Sequence, residues 1–134
     1  MDLILVGAGA FGREVYTWLS QTIKGDSNHN IKGFIDNITN NQEKLDERKY
    51  SINIIGTIDD YHPKPEEKLV LAIFDPKINR RYVESLLQRG AQFYTLVHPT
   101  TIIGHNVQIG EGSVICPYSI LANDCALGNY IFMN

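Results

Sequence analysis

Six residues near the start of the chain, Gly7-Ala8-Gly9-Ala10-Phe11-Gly12, set three glycines at the spacing G-x-G-x-x-G. Glycines so placed let the backbone turn tightly and let a phosphate approach the N–H groups that open a helix, while an acidic residue on the next strand can take a ribose hydroxyl. Asp36 closes the next apolar run and fills that acidic place. A nucleotide is therefore expected over the turn, lined by Gly7, Gly9, Ala10, Phe11 and Gly12, with Asp36 near its ribose or base. Another reading needs no ligand, because glycines in such a turn also let a helix lie close to a sheet.

The other chemistry-bearing side chains are less organised. Cys116 and Cys125 lie nine positions apart with no zinc-type spacing of Cys or His around them, so they read as two buried thiols in a reduced compartment, and no metal site is expected. His29 and His62 fall in loops, and His98 sits in a VHPT junction where it reads as a boundary residue. His105, in IIGHNVQIG, is a candidate general base competing with the plainer reading of an exposed corner histidine. Arg80 and Arg81 can face phosphate or solvent. Tyr118, Tyr130 and Phe132 can form a stacking platform or simply pack.

These residues must be carried by two kinds of element. Leu3-Ile4-Leu5-Val6 is a short apolar run that ends at the glycines, as a strand buried on both faces would. Val15, Tyr16, Trp18 and Leu19 give helical spacing from Arg13 to about Thr22. Further strands are expected at Ile31 to Ile35, around Ile54-Ile55-Gly56, and from Lys68 to Phe74, with TNNQEKLDERKYSIN as a polar surface excursion. A helix follows from Ile78 to Gln88, stopped by Gly90, and Phe93 to Val97 completes a five-strand series. Strands alternating with helices predict a parallel α/β sheet over residues 1–96.

From Val97 the period changes to six. Val97, Ile103, Ile109, Ile115, Leu121, Leu127 and Met133 fall in register without a miss. Neither a helix nor a strand repeats every six residues, but a parallel β-helix of hexapeptide repeats does, with three hexads per triangular coil and the first-position aliphatics stacked inward. Gly104, Gly110 and Gly128 follow these aliphatics and are expected at the prism corners. The fold class predicted is α/β: a Rossmann-like parallel sheet over residues 1–96, then the first coils of a left-handed β-helix over 97–134.

Composition narrows the partners. A net charge of −3 with scattered Lys and Arg gives no cationic field for nucleic acid or an anionic membrane. The N-terminus lacks the basic flank and long apolar core of a signal peptide or membrane span, which favours the cytoplasm.

Taken in order along the chain, VGAGAFGREV, GFIDN, IIGTIDDY, LAIFDPKINRR, LVHPTTIIG and the hexads resemble the bacterial nucleotide-sugar acetyltransferases of the sialic-acid O-acetyltransferase and bacillosamine N-acetyltransferase type. The resemblance departs at Phe74, where that family often has Gly. It implies a Rossmann-like domain holding a UDP- or CMP-linked sugar, acetyl-CoA as co-substrate, a homotrimer, and direct acyl transfer assisted by a histidine base. It implies substrate-binding roles for Gly7, Gly9, Ala10, Phe11, Gly12, Asp36, Asn37 and Asp75, and a supporting catalytic position at Asn134. The family's base falls, by hexad counting, about seven positions past Asn134. The 134 residues are therefore expected to bind a sugar nucleotide without transferring acetyl, and their last coil to present an apolar cross-section that frays or is covered by another chain. Two alternatives stand beside this: a non-catalytic nucleotide-sugar-binding and trimerisation module, and an NAD-binding protein. The second rests on the glycine motif alone and lacks the other half that a dinucleotide fold requires.

Overall fold

The computed structural model describes residues 1–134. Four parallel strands, β1 (Asp2–Val6), β2 (Asn30–Ile35), β3 (Ile54–Gly56) and β4 (Glu67–Leu71), lie in the order β3-β2-β1-β4. Three helices connect or flank them: α1 (Ala10–Thr22), α2 (Asn41–Glu47) and α3 (Pro76–Gln88). Because β1 is central, its successive side chains enter different cores, which is why it is apolar without alternation. Leu3 and Leu5 pack with Val15, Leu19 and Phe34, while Ile4 and Val6 pack with Ile35, Val83 and Leu86. Each such side chain contributes about 1.5–3 kcal/mol of burial.

Seven two-residue strands follow: β5 (Leu96–Val97), β6 (Ile102–Ile103), β7 (Gln108–Ile109), β8 (Val114–Ile115), β9 (Ile120–Leu121), β10 (Ala126–Leu127) and β11 (Phe132–Met133). They form three small parallel sheets, β5-β8-β11, β6-β9 and β7-β10. Each hexad's first residue stacks on that of the coil above: Val97 on Ile115, Ile103 on Leu121, Ile109 on Leu127, Ile115 on Met133. The protein is thus an α/β domain followed by a hexapeptide-repeat β-helix.

Three sequence expectations are corrected. Phe93 to Val97 is not a fifth strand of the large sheet: Phe93 makes one isolated bridge to Leu69, and Leu96–Val97 pairs with Val114–Ile115 in the coil. The polar excursion contains α2, whose Leu45 is buried in the core and whose Asn41 is buried beside Asp36. The corners are turned not by the hexads' second residues but by their fourth: Asn106, Gly112, Tyr118, Asp124 and Tyr130 all have positive φ, between 57° and 75°. Asn, Asp and Gly suit that conformation, while the two tyrosines adopt it at a cost of order 1 kcal/mol each. Gly104 and Gly110 serve coil stacking instead, since a Cβ on Gly104 would lie 2.7 Å from the Asn123 nitrogen, and one on Gly110 would strike the Gly128 carbonyl.

The outward side chains give the three coil faces different characters. Leu96 and Val114 are buried in the α1-side core with Phe132 packed against them, so this face docks the β-helix onto the sheet domain. On the second face Ile102 and Ile120 stack one above the other and are 63% and 67% exposed. The third face presents Gln108 and Ala126.

Candidate functional site

The turn between β1 and α1 uses its three glycines differently. Gly7 has φ +106°, and a Cβ there would sit 2.9 Å from the Ala72 carbonyl oxygen and 2.7 Å from the Ile73 side chain. A Cβ on Gly12 would sit 2.8 Å from the Gly7 carbonyl carbon and closer still to its oxygen, so this glycine lets α1 cross against the turn. Gly9 has an extended backbone, and a Cβ there would meet nothing within 4 Å, so the space beside it belongs to no protein atom. Gly7 and Gly12 are required by packing; Gly9 faces an opening.

The turn's donors divide in the same way. The Gly7 N–H donates to the Ile35 carbonyl at 2.9 Å, and the Ala8 N–H to Asp36 Oδ2 at 2.8 Å. The N–H groups of Gly9, Ala10, Phe11 and Gly12 find no acceptor in the chain. Four uncommitted donors at the positive end of a 13-residue helix are able to receive an anion.

Asp36 is 7% exposed and holds the turn in shape. Besides Ala8 N–H, its carboxylate accepts the Asn41 amide at 2.8 Å and the Ile38 N–H at 2.9 Å. Asn37 is likewise committed: its Oδ1 accepts the Ile58 and Asp59 N–H groups, and its Nδ2 donates to the Tyr82 hydroxyl at 3.1 Å. Asp75 caps α3 by accepting from the Lys77 and Ile78 N–H groups. Asp36 thus braces the turn itself, while Asn37 braces the backbone that follows β3 and Asp75 the first turn of α3.

Aromatic rings close one side. Phe11 meets Trp18, Phe74 and Phe132 edge-on with centroids 5.9, 5.6 and 4.6 Å apart. Beyond Phe74, which is 63% exposed, a cleft of about 710 Å³ opens between α3 and the second coil, walled by Asn79, Arg80, Val83 and Tyr130 among others. Asn79 is a wall residue that sequence reasoning misses. Its signal was present, because Asn79, Val83 and Leu86 share the buried stripe of α3 at i, i+4 and i+7.

The histidines separate clearly. His98 is 7% exposed and ties α1 to the coils: its Nδ1 accepts from the Thr100 N–H at 3.2 Å, which makes Nε2 the donor to Gln21 Oε1 at 2.7 Å. Thr100 Oγ1 lies 2.8 Å from Nδ1 and accepts the Tyr118 N–H, so the chain of bonds reaches the second coil. Burial lowers the His98 pKa, which keeps the ring neutral. His105 is exposed at a corner, where its backbone N–H rather than its ring is used, by Asn123 Oδ1 at 2.7 Å. His29 pairs with Asp26 at 2.7 Å in the loop before β2. Asn134 is exposed just past β11.

Cys116 and Cys125 are free; burial raises the Cys116 pKa to about 11, which leaves it a packing thiol, whereas Cys125, expected to be buried as well, is only half-buried on the outer coil. No group of three or more His, Cys, Asp or Glu is placed to hold a metal, and no helix is long and apolar enough to cross a membrane.

Several known proteins are similar to this chain. GDP-perosamine N-acetyltransferase of Escherichia coli O157:H7 is 27% identical over an alignment 146 positions long, which takes in 95% of this chain and 64% of that enzyme. Among solved structures, the acetyltransferase domain of PglB from Neisseria gonorrhoeae FA1090 in complex with acetyl coenzyme A superposes with a TM-score of 0.79 at 22% identity, covering 99% of this chain and 61% of that one. WeeI from Acinetobacter baumannii AYE superposes at 0.75 with 23% identity, over 98% and 60%. PerB from Caulobacter crescentus, in complex with CoA and GDP-perosamine, also superposes at 0.75, with 14% identity over 100% and 60%. These superpositions establish the fold, and the chain spans less than two thirds of each relative. The domain that carries the glycine turn matches the PglD N-terminal domain over residues 2–86, well over half the sequence, and the chain belongs to that family.

Proposed function

We propose that these residues are the nucleotide-sugar-binding domain and inner coils of an acetyl-CoA-dependent sugar acetyltransferase. The observation that carries the proposal is the set of four uncommitted N–H groups, Gly9 to Gly12, together with the open space beside Gly9. A diphosphate is the group such a set suits. In this arrangement the diphosphate of a nucleotide-linked sugar lies over Gly9, Ala10 and Phe11, with Gly7 and Gly12 shaping the turn, Asp36 bracing it, and Asn37 and Asp75 bracing the backbone after β3 and the first turn of α3. The relatives support the ligand class, since one is named a GDP-perosamine N-acetyltransferase and another was solved with CoA and GDP-perosamine. UDP, CMP and GDP sugars are therefore the panel to test, with acetyl-CoA as acyl donor.

Chemically, acyl transfer from a thioester to a sugar amine or hydroxyl needs a base that takes the nucleophile's proton, and an acid partner that orients the base. Neither His105 nor His98 has a carboxylate partner, and His98 is neutral, buried and occupied at both nitrogens. His29 has a carboxylate partner in Asp26, but it lies in the loop that enters β2 at its start, whereas the glycine turn leaves β1 at its end. His62 is exposed and has no carboxylate partner either. In this reading the 134 residues bind sugar nucleotide and position it without supplying the base. Asn134 takes a supporting place at the edge of that chemistry. The stacked Ile102 and Ile120 form the face that meets another copy in a homotrimer.

The test is a binding panel joined to a turnover assay. Sugar nucleotides raise the melting temperature and NAD does not, while release of CoA thiol from acetyl-CoA stays at background. Stabilisation by NAD alone would return the glycine turn to the dinucleotide reading. Turnover that His105→Ala abolishes would make His105 the base.

A further inference from the structure

We propose that Phe132 and Phe74 are positioning residues, through which an anion on the glycine turn and the coil strand β11 order one another. The inference rests on the anion reading of the turn and adds to it a route from the bound diphosphate to the strand that leads to Asn134.

Phe11 joins the two ends of that route. It is the second residue of α1, and its N–H is one of the four free donors. No side chain caps this end of the helix, and the first turn holds no acidic residue. The first turn is therefore held by fewer bonds than the rest of α1. An anion that accepts its N–H groups takes the place of the missing cap, and a cap favours an ordered first turn by roughly fivefold.

The Phe11 ring carries that order outward. It meets Phe74 and Phe132 edge-on, and those two meet each other with centroids 5.4 Å apart. Rings from α1, from the segment after β4 and from β11 thus close a triangle, with Trp18 behind Phe11. Phe74 keeps its place in the triangle although it is 63% exposed. An edge-on aromatic pair shifts an equilibrium by about two- to tenfold beyond the area it buries.

The responding element is β11. The Val114 N–H donates to the Ile131 carbonyl at 2.8 Å and the Cys116 N–H to the Met133 carbonyl at 2.9 Å, so these two amides are protected while β11 is docked. Docked and open β11 are the two states that the rings bias. A ligand that favours the docked strand is itself bound more tightly when the strand is docked, by the same factor. In the proposed transfer, the strand leading to Asn134 is set in place once the acceptor sugar is on the turn.

The experiment measures amide hydrogen exchange in the 134-residue chain with and without pyrophosphate, and pyrophosphate affinity by calorimetry. Pyrophosphate should slow exchange at Val114 and Cys116 by about two- to tenfold. The Gln108 and Gly110 amides, bonded to the Cys125 and Leu127 carbonyls on the third face, should keep their rates. Phe132→Leu keeps an apolar side chain but removes the ring, so it should abolish the slowing and weaken pyrophosphate binding by the same factor. Phe74→Ala, at an exposed position that folding tolerates, should act in the same direction, and Phe74→Tyr should restore both readouts. Rings that only pack would speed exchange in the ringless variants with and without ligand alike and leave affinity at the parent's value; that result would overturn the inference and leave the turn's anion site standing. Slowing of equal size in the parent and in both ringless variants would overturn it as well. Failure of pyrophosphate to bind the parent would overturn the anion reading itself and this inference with it.

Discussion

Placing a methyl group at Gly12 and at Gly9 should have opposite consequences, although both glycines belong to one motif. In Gly12→Ala the new Cβ would lie 2.8 Å from the Gly7 carbonyl carbon and nearer its oxygen, against a comfortable carbon contact of about 3.5–4.0 Å. Neither partner is a flexible side-chain tip. Relief requires α1 to move off the turn by roughly 1 Å, which loosens Val15 and Leu19 from the core they share with Leu3 and Leu5. Overpacking of this kind costs about 1–3 kcal/mol or more, and the gain in helix propensity from Gly to Ala returns up to about 1 kcal/mol. A net loss of about 2 kcal/mol corresponds to roughly 5–10 °C in melting temperature for a chain of this size. In Gly9→Ala nothing lies within 4 Å of the added carbon, so stability should stay within about 1 kcal/mol while pyrophosphate and sugar-nucleotide affinity falls. Thermal and urea melts followed by circular dichroism measure the first effect, and calorimetry the second. Gly12→Ala melting with the parent would refute the packing argument, and unchanged affinity in Gly9→Ala would refute the assignment of the open space to ligand.

Three further outcomes are expected. Asp36→Asn replaces an acceptor of three hydrogen bonds with a group whose nitrogen cannot accept, so urea melts should show a loss of about 2 kcal/mol; a midpoint equal to the parent's would contradict the bracing role. For His98 the folded-state pKa lies below the unfolded value, so its contribution is full above about pH 6.5 and is lost as pH falls through that value toward the lowered one. Melting curves from pH 8 to 5 should therefore fall more steeply in the parent than in His98→Gln, and parallel profiles would remove His98 from the account. Ile120→Lys lies on an exposed face, so it should alter monomer stability by no more than about 0.5 kcal/mol while abolishing self-association in sedimentation experiments; an unchanged sedimentation profile would exclude that face as the contact between copies.

What the sequence disclosed depended on how local each signal was. The hexads were legible because one side chain in six must point inward, and that constraint survives at every coil from Val97 to Met133. The glycine turn was legible as a turn, but the division of labour among Gly7, Gly9 and Gly12 was not, since it depends on Ala72, Ile73 and the path of α1. Leu96–Val97 reads into the wrong sheet because an apolar pair is equally suited to a last Rossmann strand and a first coil strand; its partner, Val114–Ile115, lies 18 residues on. Asp36 looks like a ligand contact because its position, at the end of a strand beside glycines, is the same whether it holds a ribose or the Ala8 N–H. The amide of Asn41, which helps to occupy it, lies on a helix that the polar composition of the segment conceals. Asn79 sits at the spacing of Val83 and Leu86 and its burial is legible from that stripe, but the lack of a hydrogen-bond partner for its Oδ1 is set by tertiary packing that the helix's own sequence does not encode.

The central claim is that the N–H groups of Gly9, Ala10, Phe11 and Gly12 receive the diphosphate of a nucleotide-linked sugar, and amide NMR tests it residue by residue. On addition of a UDP, GDP or CMP sugar, the backbone amides of these four residues should move together and saturate with one affinity. Those of Gly7 and Ala8, already bonded to Ile35 and Asp36, should move least. Saturable shifts confined to other parts of the chain, or the absence of any shift with all three sugar nucleotides, would contradict the account.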